Sequence, residues 1–199
     1  MYEPKNTAAA LSRSGPDGSL TEREHWSYTG PEGATDVVAN YGPPVVADGR
    51  LVVHLMAWYS QGDEQSVVGE LLALDGESWT VEWRQGTVRG GPVSPVVADG
   101  TLSVAGTDQD RAYVFAVDAA TGDVVWQSQT AGLCCHTPVT ADRVAAVSAG
   151  AVDVFDRASG DRLGAATSPD WELNPAPHQC LAGNAVVTSG PGGIRRLQG

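Results

Sequence analysis

Lysine is almost absent from this chain of 199 residues: Lys5 is the only one, and 24 acidic residues stand against 12 basic ones. The resulting net charge of −12 repels nucleic acid and anionic membrane surfaces, so neither is predicted as a partner. No apolar run approaches the ~18 residues of a membrane-spanning helix, and the polar start lacks the apolar core of a signal peptide. We therefore expect no membrane insertion and, for the chain as it stands, a cytoplasmic location. The acidic, lysine-poor composition is typical of a halophilic protein and also of a GC-rich genome.

Cysteine is also scarce. The three cysteines are an odd number, which excludes a framework of paired disulfides. Cys134 and Cys135 are adjacent and precede His136; they can pair with each other only as a strained vicinal disulfide, which makes them a candidate redox pair. His178 and Cys180 extend this set toward a zinc site, but adjacent cysteines rarely bind one tetrahedral ion together. We favour small thiols packed as modest hydrophobes, with no metal ligand and no catalytic residue assigned.

An internal repeat organises the chain. The segment GPPVVADGRLVV (42–53) recurs as VSPVVADGTLSV (93–104), CHTPVTADRVAAV (135–147) and PAPHQCLAGNAVV (175–187). The matching prolines, Pro44, Pro95, Pro138 and Pro177, lie 51, 43 and 39 residues apart. This spacing is close to the ~40–45 residue period of a propeller blade.

The pattern inside each unit is that of short strands and tight turns. Asp48-Gly49 and Asp99-Gly100 predict hairpin turns, and the following strand at 112–118 is apolar on both faces, as in a blade covered by neighbours on either side. A second turn lies at DAATGD (118–123), before Trp126. No segment has a sustained helical period, so the predicted fold class is all-β, a β-propeller of about four blades.

The repeat sets the predicted domain organisation, a single propeller domain over residues 1–199. Its predicted blades are 42–85, 92–129, 135–166 and 175–199. The last lacks an outer strand, and we expect residues 22–29, with Trp26, to supply it and close the ring. Two alternatives stay open: a closed four-bladed ring, or half of a larger ring that self-association completes.

Two units depart from the repeat. The first carries an extra segment, MAWYSQGDEQSV (56–67), which predicts a loop whose Trp58 and Tyr59 either contact a partner or cover a blade edge. In the third unit, Leu163 is expected to replace the closing tryptophan and to weaken its contact with the next blade.

The unit SPVVADGTLSVAG…AYVFAVDAATGDVVW resembles the repeat of the pyrroloquinoline quinone (PQQ)-like, BamB-like β-propellers, of the type found in haloarchaea. Its second half matches their tryptophan-docking motif, in which a tryptophan ties each blade to the next. The matching residues are Ala116, Asp118, Thr121, Gly122 and Trp126, with Asp75 and Trp83 in the first unit.

The resemblance implies two functions. Non-catalytic members act as protein-interaction platforms without a cofactor, and this is the function that we predict. The alternative is a truncated or degenerate quinoprotein oxidoreductase, which would bind PQQ with calcium beneath a vicinal disulfide such as Cys134–Cys135. Because most acidic residues fall in turns, few remain for a catalytic base or a calcium site, so no cofactor is expected. If an export signal precedes the chain, the resemblance implies the cell envelope or the extracellular space.

Overall fold

The structure, a computed structural model, describes residues 7–14, 19–87, 94–108, 111–132, 134–137, 139–148, 151–167, 179–182, 185–190 and 193–198. Every regular element in these ranges is a β-strand, which confirms the predicted all-β class. None of these residues belongs to a helix long and apolar enough to cross a membrane.

Five strands form the first large sheet, which we call blade 1. They are β3 (Thr35–Tyr41), β4 (Val45–Ala47), β5 (Arg50–Gln61), β6 (Glu64–Asp75) and β7 (Val81–Thr87). The strand order is β3-β5-β6-β7, and β4 pairs with the first residues of β5 while β3 pairs with its second half. Two segments of chain thus share the inner edge of this blade.

Blades 2 and 3 each contain four antiparallel strands. Blade 2 consists of β8 (Val96–Ala98), β9 (Thr101–Asp108), β10 (Arg111–Asp118) and β11 (Val124–Thr130). Blade 3 consists of β12 (Cys134–His136), β13 (Arg143–Ser148), β14 (Ala151–Asp156) and β15 (Arg162–Thr167). Consecutive strands pair in order, as expected for strands joined by short turns.

Blade 4 has three strands, β16 (Gln179–Ala182), β17 (Ala185–Gly190) and β18 (Gly193–Gln198). The remaining strands, β1 (Thr7–Ser14) and β2 (Ser19–Ser27), pair with each other. Within the described strands, β18 pairs with β17 and β2 with β1. Ring closure through residues 22–29 therefore stays a prediction.

The cores lie between blades. Between blades 1 and 2, fully buried side chains such as Val52 and Leu71 meet Leu102 and Val117. Between blades 2 and 3, Val114 and Trp126 meet Val144, Ala146 and Phe155. Each buried aliphatic side chain stabilises the fold by roughly 1.5–3 kcal/mol relative to exposure. The two-faced apolar strand at 112–118 has this origin: Val117 faces blade 1 and Val114 faces blade 3.

The predicted Asp-Gly hairpin turns are present. Asp48 and Asp99 have φ of 49° and 47°, and the glycines that follow them have φ of 78° and 72°. Positive φ at both central residues is the geometry of a type I′ turn, whose twist matches that of the flanking strands.

Candidate functional site

Blades 1 and 2 are joined by a tryptophan. The indole N–H of Trp83 on β7 donates a hydrogen bond to the carbonyl oxygen of Ala119 in blade 2, at 3.2 Å. The ring also covers Gly122: a Cβ at that glycine would come 2.7 Å from the ring carbons. Gly122 has φ of 80°, so glycine is required here both by the backbone and by the space that the indole occupies.

Blades 2 and 3 repeat this contact. The indole N–H of Trp126 donates to the carbonyl oxygen of Arg157 at 2.8 Å, and the ring lies over Gly160, where a Cβ would come within 2.6 Å. Two of the tryptophans predicted from the sequence thus contact the next blade in the same way. In each case the indole N–H donates to a carbonyl oxygen, and the ring packs on a glycine.

The series of contacts is limited at both ends. Backbone hydrogen bonds to the aspartate of each turn place Trp79 where blade 2 has Gly122, and Trp79 has φ of 58°. Blade 1 therefore carries an indole of its own where blades 2 and 3 offer a glycine to a tryptophan.

At the other end, Gly164 occupies the position of the tryptophan. Gly164 pairs with Val154 as Trp126 pairs with Ala116, each just before a register shift. The expectation that Leu163 replaces the closing tryptophan is wrong by one residue, because the same register shift is present in blades 1 to 3 and the position eight residues after the motif aspartate is Gly164. Leu163 is 56% exposed.

The aspartates of the repeat motif act within their own turns. The Asp118 carboxylate accepts hydrogen bonds from the backbone N–H groups of Thr121 and Ala120, both at 2.9 Å. These bonds hold its pKa below the usual value. Asp75 and Asp156 make equivalent bonds, chiefly with Ser78 and Ser159, and their pKa values are lowered for the same reason. The three carboxylates therefore stabilise the turns in which they lie.

Arg157, in the turn that begins at Asp156, connects blade 3 to blade 2 by polar contacts. Its guanidinium donates to the carbonyl oxygen of Ala98 at 3.0 Å, to Oδ2 of Asp99 at 2.5 Å and to the carbonyl oxygen of Ala141 at 2.8 Å. It borders a shallow cleft of about 350 Å³ between blades 2 and 3, whose lining includes Asp99 and Asp142. With its backbone oxygen bonded to Trp126, Arg157 is tied to blade 2 at two points.

A buried aspartate, Asp153, lies where the chain enters blade 3. Asp153 is 1% exposed, accepts the N–H of Ala131 at 2.7 Å and pairs with Arg162. Sequence reasoning missed this residue, although an aspartate inside the otherwise apolar strand AVDVFD was a visible signal. Its role is to fix the segment that leads from β11 toward β12.

The residues Cys134, Cys135 and His136 form strand β12 rather than leading into a strand. Cys134 pairs with Ser148 and His136 with Val147, so the register shifts by one residue around Cys135. The side chains of all three lie outside the described set, as do those of blade 4. The redox pair therefore stays a prediction, as does the expectation that these cysteines and histidines bind no zinc.

Trp26 lies on the face of blade 1 that points away from blade 2. Its ring meets Tyr28 and Tyr41 edge to face, with centroids 6.4 and 6.3 Å apart. Tyr28 is buried and donates to Oε1 of Glu70 at 3.1 Å, and burial, then Glu70, raises its pKa. Arg84 pairs with Glu70 and lies 5.7 Å above the Tyr28 ring. Tyr28 was not identified from the sequence.

The segment 56–67, expected to be a loop, is a continuation of two strands. β5 and β6 pair without interruption up to Gln61–Glu64, and only Gly62 and Asp63 form the turn. Both strands have 12 residues, against eight in β9 and β10. At ~3.4 Å per residue, the hairpin of blade 1 is about 14 Å longer than that of blade 2.

This longer hairpin exposes an apolar pair. Val38 on β3 and Trp58 on β5 are cross-strand neighbours, 38% and 36% exposed. Val67 on β6 is the next neighbour of Trp58 and is partly buried. A row of three apolar side chains therefore crosses the hairpin, and we call it the Val38–Trp58–Val67 row.

Comparison with known proteins agrees with this architecture. A family model described as outer membrane protein assembly factor BamB matches residues 63–194. No sequence among the curated proteins matches the chain significantly.

Three solved structures are similar in fold. BamB from Moraxella catarrhalis is 20% identical with a TM-score of 0.50, over 79% of this chain and 57% of that one. The computationally designed Ika4 protein is 12% identical with a TM-score of 0.60, over 86% and 95%. The Dos1 propeller is 13% identical with a TM-score of 0.57, over 98% and 52%. The chain thus spans little more than half the length of BamB and of the Dos1 propeller. Since the family model covers about two thirds of the sequence, the chain belongs to the PQQ-like, BamB-type family of β-propeller repeat proteins.

Proposed function

We propose that this propeller is a non-enzymatic platform that binds a protein partner through the long hairpin of blade 1. The observation that carries the proposal is the Val38–Trp58–Val67 row, which lies where the repeat elsewhere has a shorter hairpin. Other strands also expose apolar side chains, such as Val46, Val125 and Leu163. The row differs because it places three apolar side chains next to one another across neighbouring strands, and contiguous apolar patches, unlike single residues, are typical of interaction sites.

The chemistry of the described residues supports binding rather than catalysis. The aspartates of the repeat turns are ionised turn formers, which do not serve as proton carriers near neutral pH. The one buried acid among the described residues, Asp153, is held by Arg162 and by the backbone N–H of Ala131. Tryptophan at the centre of an exposed apolar row is, in contrast, a frequent anchor of protein interfaces.

The family adds a second line of support. The name of the matching family model describes an assembly factor, a protein that acts on other proteins. We transfer only this general property, a protein-binding propeller, to the present chain.

The test compares chemical cross-linking capture by the full chain and by its Trp58→Ser variant in an extract of the source cells. The matched control is Leu163→Ser, which removes an exposed apolar side chain from the outer strand of blade 3. We expect Trp58→Ser to lose a specific cross-linked protein that the Leu163→Ser variant retains. Equal capture by all three would overturn the proposal. Stoichiometric uptake of PQQ with calcium, followed by alcohol turnover, would favour the oxidoreductase instead.

A further inference from the structure

The Val38–Trp58–Val67 row lies on the face of blade 1 that packs against blade 2 further down the strands. β5 and β6 pair without a register shift along their whole length, so side chains alternate strictly between the two faces of the blade. Val52 belongs to the core between blades 1 and 2, and Trp58 points to the same side of β5. Ala57, on the opposite side, belongs to the core of the other face. The row therefore continues the surface that forms the core between blades 1 and 2.

The strands of blade 2 end before they reach the level of the row. Counted from Arg50 and Thr101, the first residues of the equivalent strands β5 and β9, Trp58 corresponds to residue 109. β9 ends one residue earlier, at Asp108. This difference agrees with the exposed fractions of Val38 and Trp58, which are 38% and 36%. The apolar surface between the blades thus extends beyond the strands that cover it in blade 2.

Acidic residues surround this exposed surface. Asp63 and Glu64 are exposed at the tip of the hairpin, and Asp36 is exposed on β3 beside the row. The side-chain amide of Gln61 donates to the backbone carbonyl oxygen of Glu32 at 3.3 Å, which brings a fourth exposed acidic residue to the tip. No lysine or arginine occurs in residues 25–49 or 51–83.

The neighbouring arginines of the described residues do not offset this charge. Arg84 belongs to the opposite face of blade 1, where it forms an ion pair with Glu70. Arg111 begins β10 on the face of blade 2 that points toward blade 1, and the register places Asp108 directly opposite it. The described surroundings of the row are therefore both apolar and acidic.

We infer that the row and its acidic rim bind a segment of another protein that combines apolar side chains with arginine or lysine. The inference rests on the proposed function and names the chemistry of the partner. An exposed indole packs against aliphatic side chains and also against a guanidinium group, and carboxylates form strong hydrogen bonds with arginine. A second copy of the chain fits poorly, because each copy has a net charge of −12 and the two would repel each other.

The experiment selects peptides from a random library displayed on phage, with the full chain as the target. Library members that bind the Trp58→Ser variant are removed first, so that the peptides recovered on wild type depend on the row. We expect these peptides to be enriched in arginine and lysine next to aliphatic or aromatic residues. Their affinity should also fall as the salt concentration rises, because salt screens exposed charges.

Two charge reversals separate the acidic rim from the overall charge of the chain. Glu64→Lys and Glu77→Lys both replace an exposed glutamate and change the net charge equally. Glu77 lies past the other end of β6, about 40 Å from Glu64 at ~3.4 Å per residue, which is far beyond a screening length of about 10 Å. We expect the selected peptides to bind Glu64→Lys at least fivefold more weakly and Glu77→Lys within twofold of wild type. Thermal unfolding of both variants checks that the fold is intact.

Three outcomes would overturn the inference. Selected peptides without an excess of basic residues, or equal binding to the two charge variants, would show that the rim does not choose the partner, and the proposed function would survive. Recovery of no peptide that depends on Trp58 would exclude recognition of a linear segment, and the cross-linking comparison would then test the proposed function by itself. Sedimentation of the wild type as a dimer that Trp58→Ser dissociates would make a second copy the occupant.

Discussion

The indole ring of Trp83 lies against the α-carbon of Gly122 in the following blade, with no room for a methyl group between them. Trp126 and Gly160 repeat the relationship one blade further on. We propose that these contacts hold blades 1 to 3 together, since each joins sheets that share no backbone hydrogen-bond ladder. The stability of the fold should then depend on the glycine as much as on the tryptophan.

Replacing Gly122 by alanine tests this dependence. The new methyl group would meet the Trp83 ring at 2.7 Å, on a backbone with φ of 80°. We expect a loss of about 3 kcal/mol in the free energy of unfolding, from backbone strain and displacement of the ring together. The control is Gly100→Ala in the same blade, which has φ of 72° and open space around its Cβ; it should lose about 1 kcal/mol. Equal losses in urea denaturation would show that the indole moves aside without cost.

At position 79, the usual order of stability of alanine and glycine variants should be reversed. Its φ of 58° is strained for any residue with a Cβ. We therefore expect Trp79→Gly to be more stable than Trp79→Ala by about 1 kcal/mol. At Glu82, on strand β7, the same pair of substitutions should show the ordinary order, with alanine the more stable. Thermal unfolding of the four variants gives the comparison, and alanine above glycine at both positions would contradict it.

The sequence predicts the fold well because the features of the repeat depend on residues that are close in sequence. The Asp-Gly turns, the DAATGD turn and the two-faced strand at 112–118 each depend on a few neighbouring residues, so they are readable without tertiary information. The error at Leu163 has a local cause. Alignment by residue type selects the nearest large apolar side chain, whereas counting eight residues on from the motif aspartate, as from Asp118 to Trp126, leads from Asp156 to Gly164.

The sequence predicted the position of the candidate interaction surface but not its conformation. The segment 56–67 was identified by its departure from the repeat length, but its conformation was wrong. A run with Trp58, Tyr59 and polar residues has no clear alternation. It is a strand because it pairs with β6 across the Gly62–Asp63 turn and with β3, a segment some 20 residues earlier. Tyr28 was missed for a similar reason, because its partner Glu70 is distant in sequence. Asp153 was missed although its place in an apolar strand marked it.

Asp153 provides a test of the polar contacts at the entrance to blade 3. Asp153→Ala would leave the Ala131 N–H without its acceptor and Arg162 without its ion partner. Because Asp153 is buried but Arg162 is half exposed, we expect a loss of about 2–3 kcal/mol, below the range for a fully buried pair. Asp153→Asn, which keeps an acceptor, should lose less. The control, Asp142→Ala, breaks an exposed pair with Arg143 and an exposed hydrogen bond from Thr140 and should lose under ~1 kcal/mol.

The turn aspartates predict how stability depends on pH. Hydrogen bonds from Thr121, Ser78 and Ser159 lower the pKa values of Asp118, Asp75 and Asp156 in the folded state, whereas the unfolded chain keeps values near about 3.9. A carboxylate with a lowered folded pKa stabilises the fold above the unfolded value, and that stabilisation is lost as the pH falls through the folded value.

The stabilities of wild type and of the triple variant Asp75→Asn, Asp118→Asn, Asp156→Asn should therefore differ by a constant amount near neutral pH and converge in acid. Asparagine keeps an acceptor in each turn but does not titrate. We expect the difference in unfolding free energy between the two proteins to be constant between about pH 5 and 7 and to shrink steadily below about pH 4, as measured by urea denaturation at each pH. A difference that stays constant down to the acid limit of folding would show that the unfolded chain keeps the same turn hydrogen bonds. The Asx turns would then be local features that folding does not strengthen.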